Sequence, residues 1–306
     1  MNPVRKHAYI ELLVVSLIWG VAAPVIKFTL GGFSPGVFLT YRFFISSVIA
    51  LFFFIFFGLR LPKDRKTLIF LILNGFLLST VSLGLLFLGT NKTTSVDSNL
   101  ISAMAPITIV IAGIFFLKEH VTKKESVGLL IALAGTLITI IEPVFRNGGS
   151  FSGLEGNLLV FASVIVATAT AVLAKKILRS GVDAITATNL SFVIGFLTLA
   201  PFTLPKIFAS NFQILTSIPL KYHLGVFYMA ILSGTLAYIL WHRAEKSIEI
   251  SEVGLFAYLY PVFGAPLSVL WLGEKISLPF MIGAVIIAVG VFLAEWKKKR
   301  YDTSSK

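Results

Sequence analysis

The 306-residue sequence contains no cysteine, which excludes disulfides, thiolate metal sites and cysteine nucleophiles. Charge is scarce as well: Asp, Glu, Lys and Arg together make up 13% of the chain, with 14 acids against 26 bases. The uncharged stretches have no carboxylate near their middles, since Glu11, Asp97, Glu252 and Glu295 all fall at edges. A proton relay through a buried acid is therefore not expected, and facilitated diffusion stays open. The four histidines, His7, His120, His223 and His242, fall in loops or at the ends of apolar stretches without metal-ligand spacing, and no serine has the setting of an intramembrane nucleophile. No metal, no cofactor and no catalytic residue is expected.

What the sequence has in excess is apolar surface. Hydrophobic residues make up 57%, phenylalanine alone occurs 28 times, and the mean hydropathy is +0.92. Such a chain cannot cover itself with polar groups, which excludes a disordered protein and a water-soluble enzyme of this size. The lipid bilayer is its expected partner.

About 20 mostly apolar helical residues cross the hydrocarbon core. The gaps between charges place ten spans near residues 9–30, 35–58, 67–88, 95–117, 124–141, 155–176, 184–204, 222–241, 250–272 and 278–296. A barrel is excluded, because its strands would be about ten residues long with alternating polarity. Residues 207–220, bracketed by Pro205 and Pro219, read as a surface loop or interfacial turn. The basic opening resembles a secretory signal, but the apolar run continues past Pro24 and reads as a retained first helix.

Lysines and arginines divide 19 to 5 between the two faces that these spans define, with Lys27 and Arg42 inside spans. The bias places both termini in the cytoplasm of a multi-pass protein in the cell (inner) membrane. The net charge of +12 thus reflects topology, and no nucleic-acid partner is expected.

The sequence also repeats. Pro106, Glu119, Gly128 and Gly135 are spaced 13, 9 and 7 apart, as are Pro261, Glu274, Gly283 and Gly290, at a constant offset of 155. Five spans per repeat give the second copy the opposite polarity. The predicted fold class is therefore an all-α membrane protein of ten transmembrane helices in two inverted five-helix repeats. Its expected divisions are 1–143, an external linker at 144–154, 155–296 and a basic tail at 297–306. Inverted repeats of odd helix number suit alternating exposure of one midplane site.

The opening LIWGVAAPVIK, the segment SPGVFLTYRFF, the stretch AYILWHRAEKSIEISEVGLFAYLYPVFGAPLSVLWLGEKI and the paired Pro-to-Glu units resemble the drug/metabolite transporter superfamily in its ten-helix EamA-type branch. The resemblance covers nearly the whole chain. It implies a central cavity between two halves and movement of small metabolites, often export of amino acids or related compounds. The sequence departs from the usual pattern at Asp97, Asn99 and Lys118.

Several residues are candidates for the mechanism. Lys27 and Arg42 lie about 7–11 Å from the midplane on the outer side, where a cation is costly, although long stems can snorkel to the interface. Arg42 is the stronger candidate, because its planar fork can hold a substrate carboxylate. Trp19, Tyr41, Tyr238, Trp241, Tyr258 and Tyr260 combine an apolar ring with a polar handle. Trp19, Tyr41, Tyr238 and Tyr258 are expected to line the cavity, against the alternative of an interfacial belt. Pro24, Pro106, Pro261 and Pro266 can serve as hinges, or simply pack. Glu119 and Glu274 are expected to fix short turns. The expected function is a secondary transporter of small metabolites, an exporter or exchanger, with room for a homo-oligomer. The alternatives are a non-transporting membrane sensor or partner and an intramembrane enzyme.

Overall fold

A computed structural model describes residues 3–58, 61–117, 153–248, 256–295, Val253 and helical positions 127, 128, 130–135, 137 and 138. Among these residues every regular element is helical. In chain order they are α1 (Pro3–Thr29), α2 (Pro35–Phe57), α3 (Arg65–Gly75), the π-helix π1 (Phe76–Ser82), α4 (Leu83–Lys92), α5 (Ser95–Ser102) and α6 (Ala105–Leu117). After these come α7 (Leu154–Arg179), α8 (Ala184–Ala209), α9 (Gln213–Thr216), α10 (Leu220–Phe227), π2 (Tyr228–Leu236) and α11 (Ala237–Ser247). A 3-10 turn (Phe256–Leu259), α12 (Tyr260–Leu272) and α13 (Leu278–Glu295) complete them. Six apolar helical segments are long enough to cross a membrane, and Leu270, 85% exposed, is the kind of side chain that lipid would cover.

Local chemistry sets the boundaries. Pro35 starts α2, where its missing N–H costs nothing, and Gly58 ends the helix at a φ of +78°. The Asp64 carboxylate caps α3 by accepting from the Thr67 backbone N–H at 2.9 Å and the Thr67 hydroxyl at 2.8 Å. Those bonds hold its carboxyl below the usual range.

The offset of 155 recurs in the elements themselves. The rod α3–π1–α4 covers Arg65–Lys92 and the rod α10–π2–α11 covers Leu220–Ser247, 28 residues each, and both carry a π-helical middle. The helices α6 and α12 have 13 residues each, with Pro106 and Pro261 at the second position. Each follows a break, at Ala103–Met104 and at the 3-10 turn. Repeated glycines meet as well: a Cβ on Gly135 would come within 2.8 Å of the Gly283 carbonyl, and one on Gly290 within 2.6 Å of the Gly128 carbonyl. Neither crossing tolerates a side chain there.

Packing is reciprocal between the halves. The rod α3–π1–α4 and α6 pack on α7, while α11 and α12 pack on α1, and α2 packs on α8. The end of the bundle where α1 finishes will be called the far end. There Lys92 pairs with Glu155 at the start of α7, and Phe28 stacks on Tyr222 at the start of α10, with ring centroids 5.0 Å apart. At the near end Lys175, late in α7, donates to the carbonyls of Glu245 and Ile248 as α11 finishes.

Several expected boundaries move. The first helix begins at Pro3, the third rod covers 65–92 instead of 67–88, and α8 continues through Pro201 and Pro205 to Ala209. The segment after α8 turns at Asn211 and Phe212, both at positive φ, and then forms the one-turn α9. The rod expected at 222–241 runs to Ser247, because Arg243 reaches the Glu11 carboxylate at 3.2 Å while its neighbours face inward. Glu119, the tail 297–306 and most of the 144–154 linker lie outside the described residues.

Candidate binding cavity

A cavity of about 180 Å³ lies between the halves, more than ten times the roughly 10–15 Å³ that one water requires. Its wall comes from α1 (Trp19, Ala22, Ala23, Ile26), Arg42 on α2, Asn74 on α3, the rod π1–α4 and the broken pair α5–α6. Residues of α7, Met229 and Ser233 on π2, Tyr238, Trp241 and His242 on α11 and Tyr260 on α12 complete it. Both π-helices and both breaks therefore border one space, and such interruptions leave backbone groups free to rearrange.

Of the expected lining residues, the structure brings Arg42, Trp19 and Tyr238 together. The Trp19 ring is the hub, with centroids of Tyr238, Trp241 and Tyr260 at 4.8, 5.1 and 6.2 Å, and its Nε1–H donates to the Ser233 carbonyl at 2.9 Å. Arg42 is 1% exposed and lies 5.6 Å from the ring centroids of Phe43 and Phe87 and 5.8 Å from that of Phe192. Three aromatic faces can offset part of the cost of burying its charge. Its Nε and Nη1 nonetheless have no hydrogen-bond partner among the described residues.

Lys27 and Tyr41 are elsewhere. The Lys27 ammonium donates to the carbonyls of Thr90 at 3.1 Å, Asn91 at 3.2 Å and Thr93, the unpaired end of α4. A cation there satisfies orphan carbonyls and complements the helix dipole. The Tyr41 hydroxyl meets His223 Nδ1 at 3.3 Å, away from the cavity wall. Tyr258 sits in the 3-10 turn outside the lining, and Tyr260, two positions on, takes the place expected for it. Pro24 and Pro266 are inside helices, whereas Pro106 and Pro261 stand at the second position of theirs, and none of the four is among the residues that line the wall.

Glu274 closes the far end across the two halves. Its carboxylate accepts the backbone N–H groups of Ser95 at 2.8 Å and Val96 at 2.9 Å, together with the Ser95 hydroxyl at 2.9 Å, at the start of α5. Thr93 adds a bond to Asn157 of α7. The expected turn role thus becomes a clasp between halves.

Sequence reasoning missed Asn74, Asn99 and His242 in the wall and Glu245 behind it. His242, expected at a span end, is 3% exposed and meets Glu245 with Nδ1 and Oε2 at 3.0 Å; Glu245 is fully buried. The signal was present in the spacing. Tyr238, His242 and Glu245 stand at i, i+4 and i+7, one face of a helix that continues past Arg243.

The chain matches the family model described as the EamA-like transporter family over residues 7–141 and 154–296. It is 29% identical to the uncharacterized transporter YyaM of Bacillus subtilis (strain 168), covering 94% of each chain. It is 25% identical to a probable amino-acid metabolite efflux pump of Salmonella typhimurium (strain LT2), again covering 94% of each. A solved crystal structure with 18% identity shares the fold, with a TM-score of 0.66 over 97% of this chain and all of the other.

Proposed function

The chain belongs to the EamA-like transporter family of multi-pass membrane proteins, and from that premise we propose that it is a secondary transporter that exports or exchanges small metabolites, amino acids or related compounds, by alternating access. The observation that carries the proposal is Arg42, a buried guanidinium in the cavity wall with two unpartnered nitrogens. A substrate carboxylate fits that fork by two charge-assisted hydrogen bonds, which gain strength where water is scarce. Trp19, Tyr238, Trp241 and Tyr260 offer an apolar wall with polar tips to the rest of the solute.

In this reading the two halves are inverted five-helix repeats. Support comes from elements that share the 155 offset yet run oppositely: α4 finishes at the far end, whereas α11 finishes at the near end. Halves built alike but oriented oppositely can exchange conformations and expose the cavity to each face in turn. The near end is cytoplasmic in this assignment, with both termini inside.

Counterflow in proteoliposomes tests the function, with the twenty protein amino acids as probes. Exchange of at least one labelled amino acid above protein-free vesicles is the expected result; no exchange for any of them would overturn this substrate class. Reporter fusions that place the carboxyl tail outside the cell would reverse the orientation.

A further inference from the structure

We infer that Leu83, Leu86, Ala105 and Ala174 form the pocket that receives the solute's side chain, and that Ala105 and Ala174 set the largest side chain admitted. The solute class is then a carboxylate bearing an uncharged, apolar side chain. The inference rests on the transport reading for its role in selection, but the pocket itself can be probed by binding without transport.

The first observation joins the sequence repeat to the cavity. Four aromatic rings border the space from α1 and the two helices packed on it, α11 and α12. Each has a counterpart 155 residues away that borders the same space from α7 and the two helices packed on that, α4 and α6. Trp19 corresponds to Ala174 and Tyr260 to Ala105, while Tyr238 corresponds to Leu83 and Trp241 to Leu86. Every pair sets a large ring on one helix group against a smaller aliphatic side chain on the other. Rings at all eight positions would fill much of the volume now open, since side chains in protein interiors pack closely. The cavity is the space that four missing rings leave.

The second observation is what the aliphatic side offers. Leu83, Leu86, Ala105 and Ala174 carry no polar side-chain atom, and Ile109 and Ala171, which pack together, continue their surface. The hydroxyls that π1 and α7 bring to the cavity are committed to helix carbonyls. Ser82 donates to Ser163 at 3.0 Å and Ser163 to Val160 at 2.6 Å, while Thr168 donates to Val164 at 2.9 Å and Thr170 to Ala167 at 2.8 Å. A hydroxyl has one hydrogen, so none of these four has a donor left for a solute. The wall therefore presents apolar surface, and an apolar side chain placed against it gains in proportion to the area it removes from water.

The third observation is charge. Among the described residues that line the cavity, Arg42 is the one lysine or arginine and none is Asp or Glu. One carboxylate is thus matched. The α-ammonium of an amino acid travels beside its own carboxylate, whereas a side-chain ammonium or a second carboxylate would enter without an opposite charge. An apolar wall does not repay that cost. Asn74 Oδ1 and Asn99 Nδ2 are unpartnered atoms of lining residues as well, but their amides are uncharged and cannot neutralise a second ion. Leucine-like solutes suit this balance; lysine-like and glutamate-like ones do not.

Binding to the purified full-length protein, read as the rise in melting temperature that a ligand of the folded state produces, tests the pocket without transport. The probes are alanine, leucine, phenylalanine, glutamate and lysine, with propionate and isocaproate as the forms of alanine and leucine that lack the ammonium. Leucine should bind about tenfold or more tightly than alanine, glutamate or lysine, and isocaproate should exceed propionate by a similar factor. Ala105→Tyr and Ala174→Trp put the counterpart ring into the pocket and should cut the ratio of leucine to alanine affinity by about tenfold, the discrimination that a methylene or two carries in an apolar pocket. Leu83→Ala acts in the other direction and should raise the ratio of phenylalanine to leucine affinity by about tenfold, which keeps the pocket testable if a filled variant does not fold. Unchanged ratios in the folded variants, or lysine or glutamate bound as tightly as leucine, would overturn the inference. If no amino acid binds or exchanges, yet isocaproate binds wild type and is excluded by the filled variants, the pocket stands and the amino-acid reading falls. Amino-acid exchange that does not depend on side-chain size leaves the transport reading and removes the pocket.

Discussion

Lys27 on α1 and Arg42 on α2 lie within about two helical turns of the same end of the bundle, yet their surroundings differ atom by atom. The lysine has three carbonyls of the finishing α4, a coordination that uses up its hydrogens. The arginine has three phenylalanine faces and two nitrogens with nothing to bind among the described residues. The same contrast separates Glu274, whose carboxylate is fully engaged by α5, from Glu245, which keeps one oxygen unbonded. Charge inside a membrane protein is expensive in every case. Where the fold itself supplies the partners, the charge serves the fold; where it leaves them out, a ligand is the natural partner.

The sharpest way to break this contrast is Arg42→Ala. Two charge-assisted hydrogen bonds to a carboxylate are lost, so amino-acid counterflow should fall about 100-fold while the yield of folded protein stays within about twofold. Arg42→Lys should recover part of the rate, because the charge remains and the fork does not. A loss of folded protein equal to the loss of transport would place Arg42 with Lys27 as a structural cation. Next in size, Lys27→Met should destabilise by about 2 kcal/mol, visible as a lower melting temperature of the solubilised protein, with transport per folded molecule changed less than about threefold. A smaller effect is expected from Glu274→Gln, about 1 kcal/mol, since an amide oxygen can replace only some of the three bonds at the start of α5. Unchanged melting in both would show that the far-end clasp contributes little.

How much of this was legible depends on whether the deciding partner is local. Spacing between charges located most helices, because a helix in lipid must be apolar over its whole span whatever it touches. Depth along α2 singled out Arg42, and the ring-plus-handle chemistry singled out Trp19 and Tyr238. Depth alone did not separate Lys27 from Arg42, because the partners of Lys27, Thr90 to Thr93, lie more than sixty residues away and are backbone carbonyls, which any sequence supplies. The near end of α11 was lost for the opposite reason. Arg243 and Lys246 look like the edge of a membrane span, but Arg243 turns outward to Glu11 while His242 and Glu245 on the same turns point inward. Tyr258 and Tyr260 stand two positions apart, and only the geometry after the break decides which one meets Trp19.

The reciprocal packing bears on how the protein is made. Because α7 supplies the surface for α4 and α6, and α1 waits for α11 and α12, neither half of the chain completes its packing before the other is present. At about 5–20 residues per second, the 155 residues that separate equivalent elements take roughly 8–30 s to synthesise. Through that interval the nascent first half must hold Arg42, Asn74 and Asn99 in the membrane without the walls that later enclose them. A gene cut between the halves should therefore give fragments that are stable only when expressed together, as their yields expressed singly and jointly would show.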